Sequence, residues 1–114
     1  MALQKAIRHT AGIDMTYWRI VKVDTDYNAQ SGTILIYGYL DQASRDAGNG
    51  HLGYKTIRFS NAENTETPEL DKVFDNYFAI TKINGSGKNP IKNAYEYVKT
   101  IPNGDFSDAT DILE

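Results

Sequence analysis

The sequence predicts an α+β fold, in which an antiparallel β-sheet of about four strands in the N-terminal half carries two C-terminal amphipathic helices. Three observations favour this fold. Up to residue 60, β-branched and aromatic residues come in short runs separated by Gly, Asn and Asp, a pattern typical of strands joined by turns. Beyond residue 66, apolar residues recur at helical spacing. Two helix-start signals precede those apolar residues.

We expect strands over residues 3–8, 13–23, 33–40 and 54–59. Turn-forming residues separate the early strands at Ala11-Gly12 and over residues 24–32, so the second and third strands should form an antiparallel hairpin. On the second strand, Trp18 and Ile20 lie on one face, so both faces carry apolar groups. The residues expected on the other face are Ile13, Met15, Tyr17, Val21 and Val23. A short helical turn is expected over residues 42–46.

Each C-terminal helix has its own start signal. Thr67 and Asn89 can cap free backbone N–H groups, and each is followed by a Pro, whose missing N–H costs nothing in the first helical turn. The first helix should then carry Leu70, Val73, Phe74, Tyr77 and Phe78 on one face. The second should carry Ile91, Ala94, Tyr95, Val98 and Ile101, and should end at Pro102.

The length and composition suit one domain over residues 1–114. A chain of 114 residues with 40% hydrophobic and 24% charged residues can bury a single core and does not resemble a disordered chain. Residues 103–114 are acidic and rich in turn formers, so we expect them to form a C-terminal tail. Phe106, Ile112 and Leu113 are its candidate anchors.

Charge and residue usage argue against several classes of function. The net charge is −3, and the 12 basic residues are scattered, so nucleic acid is not an expected partner. The chain contains no Cys, which removes thiolate chemistry, disulfides and Cys-type zinc sites and fits synthesis in a reducing cytosol. No run approaches the roughly 20 apolar residues that a membrane span requires, so no membrane partner is expected.

A Gly-Ser-Gly-Lys run at residues 85–88 matches the end of a phosphate-binding loop. The full pattern needs Gly at the position of Lys82 and Ser or Thr at the position of Asn89. The run also follows a predicted helix rather than a strand. We therefore interpret it as a loop between helices.

A second near-match resembles the start of a calcium-binding loop. Asp24, Asp26 and Asn28 have the spacing of its first three ligands. Ala29 stands where such a loop needs Gly, and Leu35 stands where it needs the closing Glu. A hairpin turn is the favoured interpretation.

No set of residues has the pattern of a catalytic or metal centre, so we expect neither enzyme activity nor a cofactor. His9 and His51 are far apart in sequence and have no patterned carboxylate beside them, which favours two surface histidines. A pair of carboxylates for hydrolysis stays open as an alternative, although no pair stands out. The candidates are Asp41, Asp46, Glu63, Glu66, Glu69, Asp71 and Asp75.

Aromatic residues on the predicted strands are the more informative feature. They provide large, stiff contact area with a hydrogen-bonding tip, which suits protein interfaces and sugar stacking. A half-buried core beneath the helices is the competing interpretation. The candidate interface residues are Tyr17, Trp18, Tyr37, Tyr39 and Tyr54.

Four stretches that together span most of the chain carry a resemblance: MALQKAI, GIDMTYWRIVKV, GYLDQASRDAGNGHL and NAYEYVKTIPNGDFSDATDIL. They resemble a group of small proteins from phages and prophages of low-GC Gram-positive bacteria. The shared layout is an aromatic in the middle of a hydrophobic strand, a Gly-Tyr strand leading into Ser-x-x-Arg, and an Ala-Tyr-x-x-Lys helix before an acidic end.

This resemblance implies a structural component of the tail or baseplate, made in the bacterial cytoplasm and located in the virion. Its implied partners are other virion proteins and copies of itself. Repeated copies convert modest contacts into a stable assembly. One alternative is a carbohydrate-binding module that recognises a host-surface glycan through Tyr and Trp. A second alternative is a small hydrolase that uses two carboxylates.

Overall fold

The computed structural model describes residues 2–9, 12–84, 89–102 and 104–112. Its framework is one five-stranded antiparallel sheet with the spatial order β4-β3-β2-β1-β5. The strands are β1 (Ala2–Arg8), β2 (Asp14–Asp26), β3 (Ser31–Tyr39), β4 (Gly53–Phe59) and β5 (Thr110–Ile112). The α+β class and the β2–β3 hairpin are confirmed. The hairpin turn covers only residues 27–30, because β2 is longer than expected.

The helices are α1 (Gln42–Asp46), α2 (Ile80–Ile83) and α3 (Pro90–Thr100). Side-chain caps fix the start of two of them. The Asp41 carboxylate accepts the Ser44 N–H at 2.8 Å, and the Asn89 amide oxygen accepts the Lys92 N–H at 2.7 Å. The predicted helical turn at residues 42–46 and the helix that follows Asn89 are therefore both confirmed.

The helix expected after Thr67 is interrupted. A 3₁₀ turn at Pro68–Leu70 is followed by a π-helical turn at Phe74–Phe78 and then by α2. Lys72 lies between the first two segments with a φ of 44°, which breaks the helical path.

Asn64 ties the segment before the break to Asp71. Its side-chain oxygen accepts the Thr67 N–H at 2.8 Å, and its own N–H donates to the Asp71 carboxylate at 2.8 Å. At the break itself, the N–H groups of Lys72 and Phe74 donate to the carbonyls of Ala62 and Ser60 rather than to carbonyls four residues earlier, as a regular helix requires. The helical spacing of the apolar residues still predicts their burial correctly for Val73, Phe74 and Phe78, which all lie in the core.

The core lies between one face of the sheet and a layer formed by α3 and the π-helical turn. Phe59 of β4 stacks on Phe78 with ring centroids 4.0 Å apart, and Trp18 of β2 meets Phe106 edge-on at 5.3 Å. Sheet residues in this core are Leu3, Met15, Trp18, Ile20, Ile34, Ile36 and Phe59, and the residues that cover them include Ala94, Tyr95, Tyr97, Val98 and Phe106.

A β-bulge in β2 changes which side chains of this strand point to each face of the sheet, compared with the alternation that the sequence predicts. Ile20 pairs with Ile36, but Lys22 rather than Val21 pairs with Leu35. Val23 consequently packs against the core with Ile20, whereas the sequence pattern placed it on the other face. The Ile20 N–H beside the bulge donates to the hydroxyl of Tyr95 at 2.8 Å.

The C-terminal segment, which the sequence predicts as a tail, contains a short strand. β5 pairs with β1 and places Ile112 opposite Ala2, and Phe106 is buried against Trp18. The Lys5 ammonium bonds the carboxylate of Asp108 at 2.5 Å and holds its pKa below the ordinary Asp range. Leu113, the third expected anchor, lies outside the described residues, as does Ala11 of the predicted first turn.

Replacing Tyr95 with Phe tests the bond at the bulge. Tyr95→Phe leaves the buried Ile20 N–H without its acceptor, so we expect the free energy of unfolding to fall by about 1–3 kcal/mol. Tyr54→Phe is the matched control, because that ring is 67% exposed and its hydroxyl can bond water. Urea denaturation of both variants measures the difference, and equal midpoints would contradict the role of Tyr95.

Gly38 is required by the ring of Trp18. A Cβ at Gly38 would lie 2.7 Å from two atoms of that buried indole, so Gly38→Ala should cost about 1–3 kcal/mol through overpacking. Gly50→Ala has open space around the added methyl group and should change stability little. Thermal unfolding of the two variants distinguishes them, and a Gly38→Ala protein as stable as Gly50→Ala would refute this close approach.

Candidate functional site

The helical layer covers only one face of the sheet. We call the opposite face of β2, β3 and β4 the open face, because α3 and the π-helical turn pack on the other side. The strand register determines which side chains are neighbours on this face. Tyr17 of β2 lies opposite Tyr39 of β3. One row across β2, β3 and β4 consists of Arg19, Tyr37 and Tyr54. The open face is therefore rich in aromatic residues from neighbouring strands.

The five candidate interface residues divide into two groups. Trp18 is fully buried in the core, and its indole N–H donates to the Lys5 carbonyl at 2.9 Å, so it offers no contact area in this subunit. Tyr17 belongs to the open face but is only 1% exposed beneath Tyr39. Tyr37 and Tyr39 are half-buried, and Tyr54 is exposed.

The accessible aromatic groups form a continuous patch. The His51 ring stacks on Tyr37 at 3.8 Å between centroids with an interplanar angle of 13°. Tyr54 is the cross-strand neighbour of Tyr37, and Tyr39 lies two residues further along β3. We call Tyr37, Tyr39, His51 and Tyr54 the aromatic strip. It presents flat rings with polar tips, which is the chemistry of a contact surface.

His51 is the member that sequence reasoning missed. The sequence predicts only a surface histidine in a polar loop, because residues 47–52 carry no periodic pattern that would place it. The Leu52 N–H donates to the Gly38 carbonyl at 2.8 Å, which holds the loop against β3. This tertiary contact helps to place the imidazole over Tyr37.

The two histidines do line one shallow cleft, although they are distant in sequence. The cleft has a volume of about 460 Å³, and Arg8 and Lys55 line it together with His9 and His51. None of the described residues that line it is a carboxylate. Within the described part of the chain, no group of three or more His, Cys, Asp or Glu side chains is placed to hold a metal ion.

The segment that resembles the start of a calcium-binding loop, residues 24–28, lies at the β2–β3 hairpin turn. The Asp26 carboxylate accepts the N–H groups of Asn28 and Ala29 at 3.0 and 3.1 Å, which closes the turn between β2 and β3. The hairpin interpretation is confirmed. Asp24 and Asp26 also line a larger open cleft of about 570 Å³ together with Arg58.

Most carboxylates considered from the sequence have local partners. Asp41 caps α1, Asp71 accepts the Asn64 N–H, and Asp75 bonds Asn61 at 3.2 Å. Asp46 and Glu63 lie 3.5 and 3.8 Å from the cations of Arg45 and Lys72. These contacts give the carboxylates structural roles at loops and helix ends.

The Gly-Ser-Gly-Lys run at residues 85–88 lies outside the described residues. Among the residues that are described, no helix is long and apolar enough to cross a membrane.

Comparison with known proteins identifies no relative of this chain. No protein-family model matches the chain, and neither a curated protein nor a solved structure is significantly similar to it.

Proposed function

We propose that this protein is a non-enzymatic structural component of a bacteriophage particle, located in the tail or baseplate, and that it acts through contacts between subunits. The observation that carries the proposal is the open face with its aromatic strip. The partners would be other virion proteins and copies of the chain itself. The resemblance of the four sequence stretches to small phage proteins supplies the biological setting.

The chemistry of the open face suits protein contacts. Tyrosine rings bury much area while losing little side-chain freedom, and their hydroxyl groups keep a hydrogen-bonding option. Arg19 and Arg58 lie on the same face as the aromatic strip and can provide polar contacts around it. Leu52, next to His51 in sequence, is 41% exposed, which adds apolar area nearby.

A carbohydrate-binding role is the second candidate, because Tyr54 presents an exposed ring. Two observations make it weaker. Trp18, the largest candidate stacking residue, is buried in the core. One face of the Tyr37 ring is already covered by His51. A sugar would therefore find few free ring faces, whereas a protein partner can use ring edges and hydroxyl groups as well.

The particle itself provides the direct test. We expect the protein in several copies per particle when virions of its phage or induced prophage are purified and analysed by quantitative mass spectrometry. Deleting the gene should yield incomplete or non-infectious particles, because neighbouring subunits lose a contact surface. Particles that lack the protein and still assemble and infect normally would refute the proposal.

The aromatic strip can be tested by truncating Tyr54. Tyr54→Ala should reduce incorporation into particles at least about tenfold, because aromatic residues at interface centres commonly contribute 2 kcal/mol or more. Ile80→Ala is the matched control, since that side chain is 62% exposed but lies on α2, away from the open face. Both variants should unfold within about 0.5 kcal/mol of wild type, as is usual for surface positions. Equal incorporation of the two variants would argue against the strip.

A further inference from the structure

β4 forms one margin of the sheet and is open along its outer side. It pairs with β3 over all seven residues, from Gly53 opposite Gly38 to Phe59 opposite Gly32. The pairings of β1 with β2 and of β2 with β3 each contain an irregularity, whereas this one contains none. Among the described elements, β3 is the only one in extensive contact with β4.

Natural edge strands are usually blunted by Pro, by a bulge or by shortness. β4 has no Pro and no bulge, while β5 at the opposite margin is only three residues long. Lys55, whose charge would oppose edge pairing, is neutralised by Asp105 at 2.9 Å. Arg58 forms no ion pair within the described part of the chain. The outer side of β4 is therefore a long, regular edge, and the Arg58 cation is its main remaining protection.

We propose that two copies of this chain join through their β4 edges in an antiparallel pairing with the two-fold axis at Thr56. The inference rests on the proposed function, which requires contacts between copies. With this axis Thr56 lies opposite Thr56 of the second copy, Tyr54 opposite Arg58, and Lys55 opposite Ile57. All seven residues of the strand are paired.

The side chains select this register over its neighbours. In an antiparallel pair, opposite residues lie on the same face, so the Arg58 guanidinium can pack on the exposed Tyr54 ring of the other copy. An axis at Lys55 would set two Lys residues directly opposite each other. An axis at Ile57 would pair residues 55–59 alone and shorten the ladder. The Thr56 axis avoids both penalties.

The paired sheets would place both helical layers on the same side, because a two-fold axis perpendicular to a sheet does not exchange its faces. The two open faces would then form one surface, with the Tyr54 residues near its centre. Dimerisation would thus join the two five-stranded sheets into one and place both aromatic strips on the same surface.

Charge substitutions at Thr56 test the axis in solution. Thr56 is exposed in the single chain, so Thr56→Lys and Thr56→Glu should fold normally. In a dimer each places like charges opposite each other, which should raise the dissociation constant at least about tenfold. A mixture of equal parts should recover the dimer, because Lys then faces Glu. Sedimentation over a concentration series measures each species against the 12.8 kDa chain.

Thr110→Lys is the matched control, since Thr110 is exposed on β5 at the other margin of the sheet. We expect it to dimerise like wild type. A wild-type protein that stays monomeric at every concentration, or dimers that survive in both Thr56 variants, would overturn the proposal. Loss of association in Thr110→Lys would also overturn it, because β4 would then be pairing with β5 of another copy.

The absence of Cys allows a test of the register itself. Thr56→Cys introduces one thiol per chain, and the two thiols should lie close enough for a short bifunctional thiol reagent to join them. Thr110→Cys should give no such product at the same concentration. If only Thr110→Cys cross-links, the β4 axis is wrong.

These measurements use the isolated protein and so separate the two proposals. A monomer that is nevertheless built into particles would overturn the β4 dimer and leave the proposed function standing. A dimer whose gene is dispensable for infection would do the reverse.

Discussion

The burial of Trp18 is the interaction on which the rest of the structure depends. Its indole lies across Gly38 of β3, its N–H is bonded to the Lys5 carbonyl of β1, and its edge contacts Phe106 near the C-terminus. One side chain thereby joins the three central strands to the segment that returns from α3. Because this ring points into the core, the aromatic residues that alternate with it along the strands point to the opposite face. The core and the open face are two results of the same alternation.

Much of the fold could be predicted from local chemistry. The hairpin, α1 and α3 follow from alternation, turn residues and caps at Asp41 and Asn89, all of which act within a few residues. Two features could not be predicted in this way. The bulge at Val21 depends on how β2 meets β3, and β5 has only three residues whose pairing is decided by β1 at the other end of the chain.

In the interrupted helix, the spacing of apolar residues predicts which side chains are buried but does not predict the path of the backbone. Val73, Phe74 and Phe78 are buried as a helical pattern requires, yet the backbone before them turns at Lys72. Periodicity predicts which side chains reach the core, because it reflects burial. The candidate site was predictable to a similar extent. The sequence pattern identifies the tyrosines of the open face as candidates. Local patterns cannot show that His51 stacks on Tyr37, or that Trp18 is buried while Tyr54 is exposed.

The pairing of the first and last strands has a consequence for how the chain folds. Ala2 lies opposite Ile112, so the outer edge of β1 and the indole of Trp18 stay uncovered until the C-terminal residues have been synthesised. Contacts of such long sequence separation close late and slow the overall reaction. On the ribosome, the hairpin and β4 can form early, but the core is completed only after residues 106–112 emerge. Until then the nascent chain has an exposed strand edge that a chaperone can shield.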